Sequence, residues 1–226
     1  MIRDNIQHIR NEIAKACSQS GRNESEITLI AVSKNFPSSS IREAIEAGIT
    51  DFGENKAREF ESKCADIGDS VTWHFIGHLQ TNKVKYVVKT ADLIHSVDSV
   101  KLAAEIQKQA EKAGKVQNVL IEVKTSFEES KHGLAEEENI AGLAEFVKNQ
   151  PNLALRGLMT IAPFVDDEKI IRESFRSLRL LRENLSSEGY DVPHLSMGMS
   201  GDFRIAIDEG ATMIRVGTSI FGERVY

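Results

Sequence analysis

Residues 194–219 read HLSMGMSGDFRIAIDEGATMIRVGTS, and they carry the clearest indication of fold in the chain. Two short apolar segments, 194–198 and 213–217, are typical of strands, and 202–209 between them is typical of a helix. Glycine and hydroxyl residues follow both segments. In (β/α)8 barrels the ligand site lies at the carboxyl ends of the strands, and a phosphate group is often held by the loops after the last two. The stretch therefore has the layout of the last two units of such a barrel.

The same strand–helix alternation extends back to the N-terminus. Isoleucines at helical spacing between Ile2 and Ile13 predict an additional first helix, which ends near Gly21. Candidate strands then recur about every 28 residues, a length that suits a βαβ crossover. They cover 28–34, 51–55, 72–77, 93–98, 119–124, 153–159, 194–198 and 213–217. The sequence predicts one α/β domain over residues 1–226, a single (β/α)8 TIM barrel with an extra N-terminal helix, and a doubly wound open sheet is the alternative.

The composition limits the classes of partner. The 226 residues include 28 Lys and Arg against 34 Asp and Glu, which gives a formal net charge of −6. A net negative chain offers no electrostatic attraction to nucleic acid or to an anionic membrane. No apolar run approaches the roughly 20 residues that span a bilayer, the N-terminus lacks a signal-peptide pattern, and two cysteines form no disulfide framework. We expect a cytoplasmic monomer with neither nucleic acid nor a membrane as partner.

Lys34 is the first candidate for chemistry. Alternation along 28–34 places Ile30, Val32 and Lys34 on one strand face, and if that face is the barrel interior, an ammonium group points into the mouth. Burial lowers the pKa of a lysine, and the neutral amine is the nucleophile that forms Schiff bases with carbonyl groups. The alternative is a lysine at a strand end whose charged head reaches water.

A phosphate site is the second candidate. Residues 196–202 (SMGMSGD) and 215–219 (RVGTS) combine hydroxyl groups with glycines, which let backbone N–H groups approach a ligand closely. The first segment also opens a helix, whose N-terminal amides favour an anion. A tight βα turn explains either segment alone, but two such loops after the last two strands predict a phosphate group. Arg215 shares a strand face with Met213 and Gly217 and would point to this site, unless it is a surface arginine paired with an acid.

Two further pairs of residues are less informative. His74 and His78 have HxxxH spacing, but Gly77 interrupts a segment that is typical of a strand, so we predict no metal site. Glu122 and Lys124 share one face of the fifth predicted strand, and the sequence leaves open whether they form an ion pair inside the barrel.

Short motifs from the first predicted strand to the C-terminus carry a family resemblance. They are 29–34 (LIAVSK), 52–55 (FGEN), 73–80 (WHFIGHLQ) with 82–83 (NK), 94–98 (IHSVD), 156–159 (RGLM), 195–200 (LSMGMS), 215–218 (RVGT) and 220–222 (IFG). With them the chain resembles the pyridoxal phosphate homeostasis proteins, a branch of the pyridoxal phosphate barrels related to the N-terminal barrel of alanine racemase. The resemblance implies a fold-type III barrel with pyridoxal 5′-phosphate (PLP) as cofactor.

The resemblance also implies roles for individual residues. Lys34 would form the Schiff base with PLP, Arg215 would face the pyridine nitrogen, and Asn55 would lie close to the ring. The residues that would hold the phosphate are Ser200, Gly217 and Thr218, and Lys131 matches a lysine near the mouth where the racemases carry an arginine. Residues 35–37 (NFP) depart from the family pattern, which puts a secondary lysine site just after Lys34 in doubt.

The implied function is a PLP-binding protein in vitamin B6 and amino-acid homeostasis, without a defined turnover reaction and with apo PLP enzymes as possible partners. A permanently charged arginine at the ring nitrogen leaves that nitrogen unprotonated and weakens the electron sink that carbanion chemistry needs. The alternatives are a PLP-dependent amino-acid racemase and, less well supported, a Schiff-base aldolase. In the racemases that this barrel resembles, a tyrosine from a separate C-terminal domain is the second base. Here the chain ends at Tyr226, and Tyr86 and Tyr190 are predicted away from the mouth, so we expect negligible racemisation.

Overall fold

Eight parallel strands form a closed barrel in the computed structural model, which describes residues 1–125, 133–135 and 137–223. Each strand pairs with the next, and β8 closes the barrel against β1, with Ile30 opposite Arg215. The strands are β1 Thr28–Val32, β2 Asp51–Glu54, β3 Thr72–Phe75, β4 Leu93–Val97, β5 Gln117–Glu122, β6 Leu153–Met159, β7 His194–Ser196 and β8 Met213–Val216. The predicted (β/α)8 barrel is confirmed, and the alternative of an open sheet is wrong.

Helices surround the barrel on the outside. They are α1 Ile2–Ser20, α2 Ser38–Glu46, α3 Ala57–Ile67, α4 Val84–Val87, α5 Val100–Lys112, α6 Glu137–Lys148, α7 Glu168–Ser187, α8 Phe203–Asp208 and α9 Thr218–Phe221. The additional helix α1 buries the predicted isoleucine stripe against α8 and α9. Within the described ranges, no helix is both long and apolar enough to cross a membrane.

The apolar core has two parts, as expected for a barrel whose strand residues alternate between the interior and the helix layer. The larger part lies between the strands and the helices. The smaller part fills the barrel interior and consists of Ile30, Leu93, Leu120, Met159 and Met213. Since Ile30 belongs to the inner cluster, the face of β1 that carries Ile30 and Val32 points inward, which is the condition that the proposed role of Lys34 required.

Most strands end one or two residues before their predicted ends, and this changes the position of Lys34. Lys34 was predicted to end β1, but the strand ends at Val32, and residues 34 and 35 form a turn. Asn35 has φ 68°, in the left-handed region that asparagine tolerates better than most residues. Phe36 stacks on Phe221 with ring centroids 5.2 Å apart, so the residues that depart from the family pattern shape this turn.

Candidate functional site

A cavity of about 540 Å³ opens at the carboxyl ends of the strands. This is the end of the barrel where ligand sites lie in this architecture, and the volume suits a small organic ligand. The residues predicted as cofactor-binding all line it: Lys34, Asn55, Ser200, Arg215, Gly217 and Thr218. The structure therefore brings the predicted site residues together. Lys131 lies outside the described residues.

Lys34 is half-buried, and hydrogen bonds hold the backbone on both sides of it. Lys63 Nζ donates to Ser33 O at 2.7 Å, and the backbone N–H of Asn35 donates to Glu59 Oε1 at 2.6 Å. Because Lys63 and Glu59 lie one turn apart on α3, this helix fixes the turn that carries Lys34.

Lys63 also stabilises a buried carboxylate behind the turn. Its Nζ lies 2.6 Å from Glu54 Oε1 and 2.7 Å from Glu59 Oε1, and Ser33 Oγ donates to the same Glu54 oxygen at 2.6 Å. Glu54 is completely buried, and its second oxygen, Oε2, has no hydrogen-bond partner in the described chain. The ion pair is therefore buried away from water, and one carboxylate oxygen lacks a hydrogen bond. The charged form of Glu54 thus depends on the nearby ammonium group of Lys63.

Asn55 is positioned by a close backbone approach. A Cβ atom on Gly77 would lie 2.3 Å from Asn55 O, so only glycine allows the end of β3 to pass so near Asn55. The Asn55 Oδ1 atom is buried and has no hydrogen-bond partner among the described residues. An amide oxygen in this state is available to a ligand that donates a hydrogen bond.

The two glycine-containing loops form another wall of the cavity. The backbone N–H groups of Ser200 and Gly201 donate no hydrogen bond within the described chain. The neighbouring N–H of Met199 donates to Asp202 Oδ1 at 2.5 Å, so a carboxylate already lies in the loop before α8, where we predicted that an anion would be favoured. A Cβ atom on Gly217 would lie 3.2 Å from Val32 O, closer than most Cβ contacts, so glycine lets the chain after β8 pass close to the end of β1.

Arg215 lies at the back of the cavity and is 4% exposed. Its Nη1 donates to Ser196 Oγ at 2.5 Å and its Nη2 to Thr160 O at 2.8 Å, and no carboxylate of the described residues lies within ion-pair distance. Burial lowers the pKa of Arg215 to about 10, against the opposite effect of Asp202 and Glu122. The guanidinium is therefore still charged at neutral pH. The alternative of a surface arginine paired with an acid is wrong.

Glu122 is a buried carboxyl group in the cavity wall. Burial and, to a smaller extent, the negative charge of Asp98 raise its pKa to about 7, although Arg215 partly opposes both effects. Its Oε2 has no hydrogen-bond partner in the described chain, and no ion pair joins it to Lys124, although both residues are described and both line the cavity. The ion pair that the sequence left open is not formed.

The raised pKa of Glu122 makes the stability of the ligand-free protein depend on pH. The folded state holds this proton more tightly than the unfolded state, so the contribution is present at acid pH and is lost as pH rises from about 4.5 through about 7. We expect Glu122→Gln to gain up to about 3 kcal/mol over wild type between pH 5 and pH 8, since each unit of pKa is worth about 1.4 kcal/mol. Urea unfolding of both proteins across this range measures the difference. If the unfolding free energies of the two proteins changed with pH in parallel, the raised pKa of Glu122 would be contradicted.

Residues that the sequence did not single out also support the site. His95 and Lys63 were not predicted, and Ser196 appeared only as part of a glycine loop, yet they lie behind Arg215 and Lys34. Alternation in the fourth strand could have placed His95 inside the barrel, because it is two residues from the interior Leu93. No pattern in the polar helix α3 distinguishes Lys63 from its neighbours.

Comparison with known proteins first identifies the class. Residues 2–225 match the family described as alanine racemase, N-terminal domain. An alanine racemase of Clostridium difficile 630 superimposes with a TM-score of 0.80 at 15% identity, over 99% of this chain and 58% of that chain, a likeness that shows the fold alone. The chain belongs to the class of barrels related to the N-terminal domain of alanine racemase.

Closer relatives identify the family within this class. The pyridoxal phosphate homeostasis protein of Aquifex aeolicus is 47% identical over 226 residues, which cover 99% of this chain and 98% of the relative. PipY of Synechococcus elongatus, solved with PLP bound, superimposes with a TM-score of 0.87 at 33% identity, over 98% of this chain and 100% of that chain. The chain belongs to the pyridoxal phosphate homeostasis protein family, and the resemblance predicted from the sequence motifs is confirmed.

Proposed function

We propose that this protein binds PLP in the cavity at the barrel mouth, attaches it to Lys34 and serves vitamin B6 and amino-acid homeostasis in the cytoplasm as a monomeric carrier. The observation that supports this most strongly is that a lysine amine, two glycine-containing loops and a buried arginine line the same cavity. Sequence relatives across the full chain carry the name of pyridoxal phosphate homeostasis protein, and PipY binds PLP.

The cavity fits this cofactor in charge and in hydrogen-bonding groups. The amide N–H groups of Ser200 and Gly201 and the Asn55 Oδ1 atom have no hydrogen-bond partner within the described residues. The amides suit a phosphate group, and the Asn55 oxygen suits a donor on the ring. Among the described lining residues, the positive charges of Lys34, Lys124 and Arg215 outweigh the one carboxyl group, that of Glu122, which favours an anionic ligand.

PLP supplies an aldehyde that condenses with primary amines and a ring that withdraws electrons from the bond formed. Lys34 would provide the amine that holds the cofactor through its aldehyde carbon, with the carbonyl oxygen lost as water. Ser200, Gly217 and Thr218 hold the phosphate. Arg215 would face the ring nitrogen and would keep its own proton, because its pKa of about 10 is far above that of a pyridine. A site of this kind binds the cofactor firmly while leaving it a weak electron sink.

We expect Lys34→Ala to abolish the visible absorption band of the PLP-loaded protein. Borohydride reduction of the wild-type protein should fix a pyridoxyl group on the peptide that contains Lys34 and on no other. Lys124→Ala is the matched control, because Lys124 is a second lysine of the same cavity and its loss should leave the band in place. An adduct found on Lys124 alone would overturn the assignment.

A second arm of the same experiment separates a carrier from a racemase. A two-base racemase needs a proton donor on each face of the substrate carbon, and no tyrosine of the described chain lines the cavity. Tyr226 lies outside the described residues. Incubated with L-alanine in deuterated water, the loaded protein should form no D-alanine but should release PLP to an apo-enzyme. Formation of D-alanine at the roughly 1–10³ turnovers per second of ordinary enzymes would reject the carrier.

A further inference from the structure

A line of buried polar side chains runs through the barrel interior below the cavity. His74 places Nε2 2.9 Å from Asp51 Oδ1 and Nδ1 2.9 Å from His95 Nε2. His95 Nδ1 lies 2.9 Å from Ser196 Oγ, to which Arg215 Nη1 donates at 2.5 Å. His95 and Ser196 are completely buried, and His74 is 2% exposed. We call Asp51, His74, His95 and Ser196 the interior polar chain.

Burial and charge fix the protonation states of Asp51 and His95 in the interior polar chain. At the floor of the barrel, burial raises the pKa of Asp51, but hydrogen bonds from His74 and Thr50 outweigh burial and hold the pKa below its ordinary value. Asp51 is therefore a carboxylate, which only accepts hydrogen bonds. Burial, assisted by the positive charge of Arg215, holds the pKa of His95 well below its usual range, so His95 is neutral and carries one ring hydrogen.

Only one arrangement of hydrogens satisfies every member of the interior polar chain. Arg215 can only donate, so Ser196 Oγ accepts from it, and the Ser196 hydroxyl finds no acceptor in the described chain except His95 Nδ1. An unused hydroxyl hydrogen is costly at a fully buried position. The hydrogen of His95 therefore lies on Nε2 and is donated to His74, and the hydrogen of His74 on Nε2 is donated to Asp51. Every bond points from Arg215 to Asp51.

Such an alignment strengthens the contact at the cavity end. Each donor polarises the next group, so the Ser196 oxygen becomes a better acceptor for the guanidinium because its own hydrogen is engaged by His95. The guanidinium also donates a hydrogen bond to Thr160 O, at 2.8 Å. Two acceptors at fixed positions leave the planar guanidinium a single orientation at the back of the cavity.

We propose that the interior polar chain positions Arg215, fixing the guanidinium in the orientation that presents its remaining N–H groups to the ring of the bound cofactor. Ser196, His95, His74 and Asp51 are then positioning residues that act on the ligand only through Arg215. The proposal rests on the proposed function for the identity of the ligand, but the orientation of Arg215 can be measured without any ligand.

The first test therefore uses the ligand-free protein and ¹⁵N NMR. In wild type, the His95 and His74 rings should both carry their hydrogen on Nε2, and the two Nη groups of Arg215 should give separate signals because the guanidinium does not rotate. In Ser196→Ala, the Nη signals should merge or broaden. The exposed His8 provides an internal reference for a solvated ring. A His95 hydrogen on Nδ1, or separate Nη signals in Ser196→Ala, would overturn the proposal even if PLP does not bind.

The second test measures PLP binding and the absorption maximum of the bound cofactor. Ser196→Ala removes one hydrogen bond to the charged guanidinium. We expect it to weaken PLP binding about tenfold and to shift the absorption maximum. Asp51→Asn should shift the maximum in the same direction by a smaller amount, since it neutralises the acceptor at the far end. Asp92→Asn is the matched control. Asp92 and Asp51 line the same shallow pocket at the amino ends of the strands, but Asp92 is not part of the interior polar chain.

The two aspartate variants distinguish an effect that passes through the hydrogen bonds of the interior polar chain from a general effect of lost negative charge. A shift in Asp51→Asn with none in Asp92→Asn supports the proposal and keeps it testable if Ser196→Ala does not fold. Equal spectra for wild type and Asp51→Asn, or equal shifts in both aspartate variants, would overturn it. If wild type does not bind PLP at all, the proposed function fails, and the NMR test alone decides the role of the chain.

Discussion

Pyridoxal that lacks the phosphate should bind at least a hundredfold more weakly than PLP. A phosphate held by Ser200 and Thr218 with nearby amide groups accepts at least two charge-assisted hydrogen bonds, each worth about 1.5–3 kcal/mol. Together they amount to about 3 kcal/mol or more, and each 1.4 kcal/mol is a factor of ten in affinity. Titration of the ligand-free protein with the two compounds, followed by absorbance, measures the ratio.

A single substitution should reduce this discrimination between PLP and pyridoxal without changing the affinity for pyridoxal. Ser200→Ala should lower the affinity for PLP by about 10- to 100-fold and leave that for pyridoxal unchanged, because in the proposed site this hydroxyl would contact the phosphate alone. Ser219→Ala is the control, since Ser219 follows Thr218 but does not line the cavity. Equal affinities of the wild-type protein for the two compounds would place the phosphate elsewhere.

Lys63→Met should lower the free energy of unfolding by about 3–5 kcal/mol, the effect of removing one partner of a buried ion pair. Glu54 would lose the cation that offsets its complete burial, and among the described residues its Oε1 would keep only the Ser33 hydroxyl as a donor. The loss should also weaken PLP binding, because Lys63 holds Ser33 O, next to Lys34. Urea unfolding of the ligand-free protein gives the first quantity, and PLP titration gives the second.

A double variant shows whether Lys63→Met loses stability because the buried Glu54 carboxyl group is left without its cation or because packing is lost. Glu54→Gln with Lys63→Met removes both charges and should recover most of the stability that Lys63→Met loses. Arg42→Met is the comparison for an exposed pair, because Arg42 and Asp66 both have more than half of their side chains exposed, and it should change stability by less than about 1 kcal/mol. A double variant as unstable as Lys63→Met would show that the buried charge is not the cause.

The predicted site residues came from patterns that extend over only a few residues. Alternation with period two placed Lys34 and Arg215 on inward faces, and the glycine and hydroxyl loops after the last strands marked a wall of the cavity. These patterns are readable because each depends on the geometry of one strand or one turn. The strand ends were less accurate: Lys34 lies in a turn beyond β1, since contacts from α3 stabilise Asn35 in its left-handed conformation.

The amino-acid order was enough to predict eight βα units, an inward-facing lysine and arginine, and loops suited to phosphate. Closure of the barrel was needed to bring His95 within 2.9 Å of Ser196, which is 101 positions away, and to place Lys63 between Glu54 and the turn that carries Lys34. The physical reason is one of range. Periodicity records which way a side chain points relative to its own strand or helix, whereas buried hydrogen bonds and ion pairs depend on which distant elements meet and on the desolvation that their packing imposes.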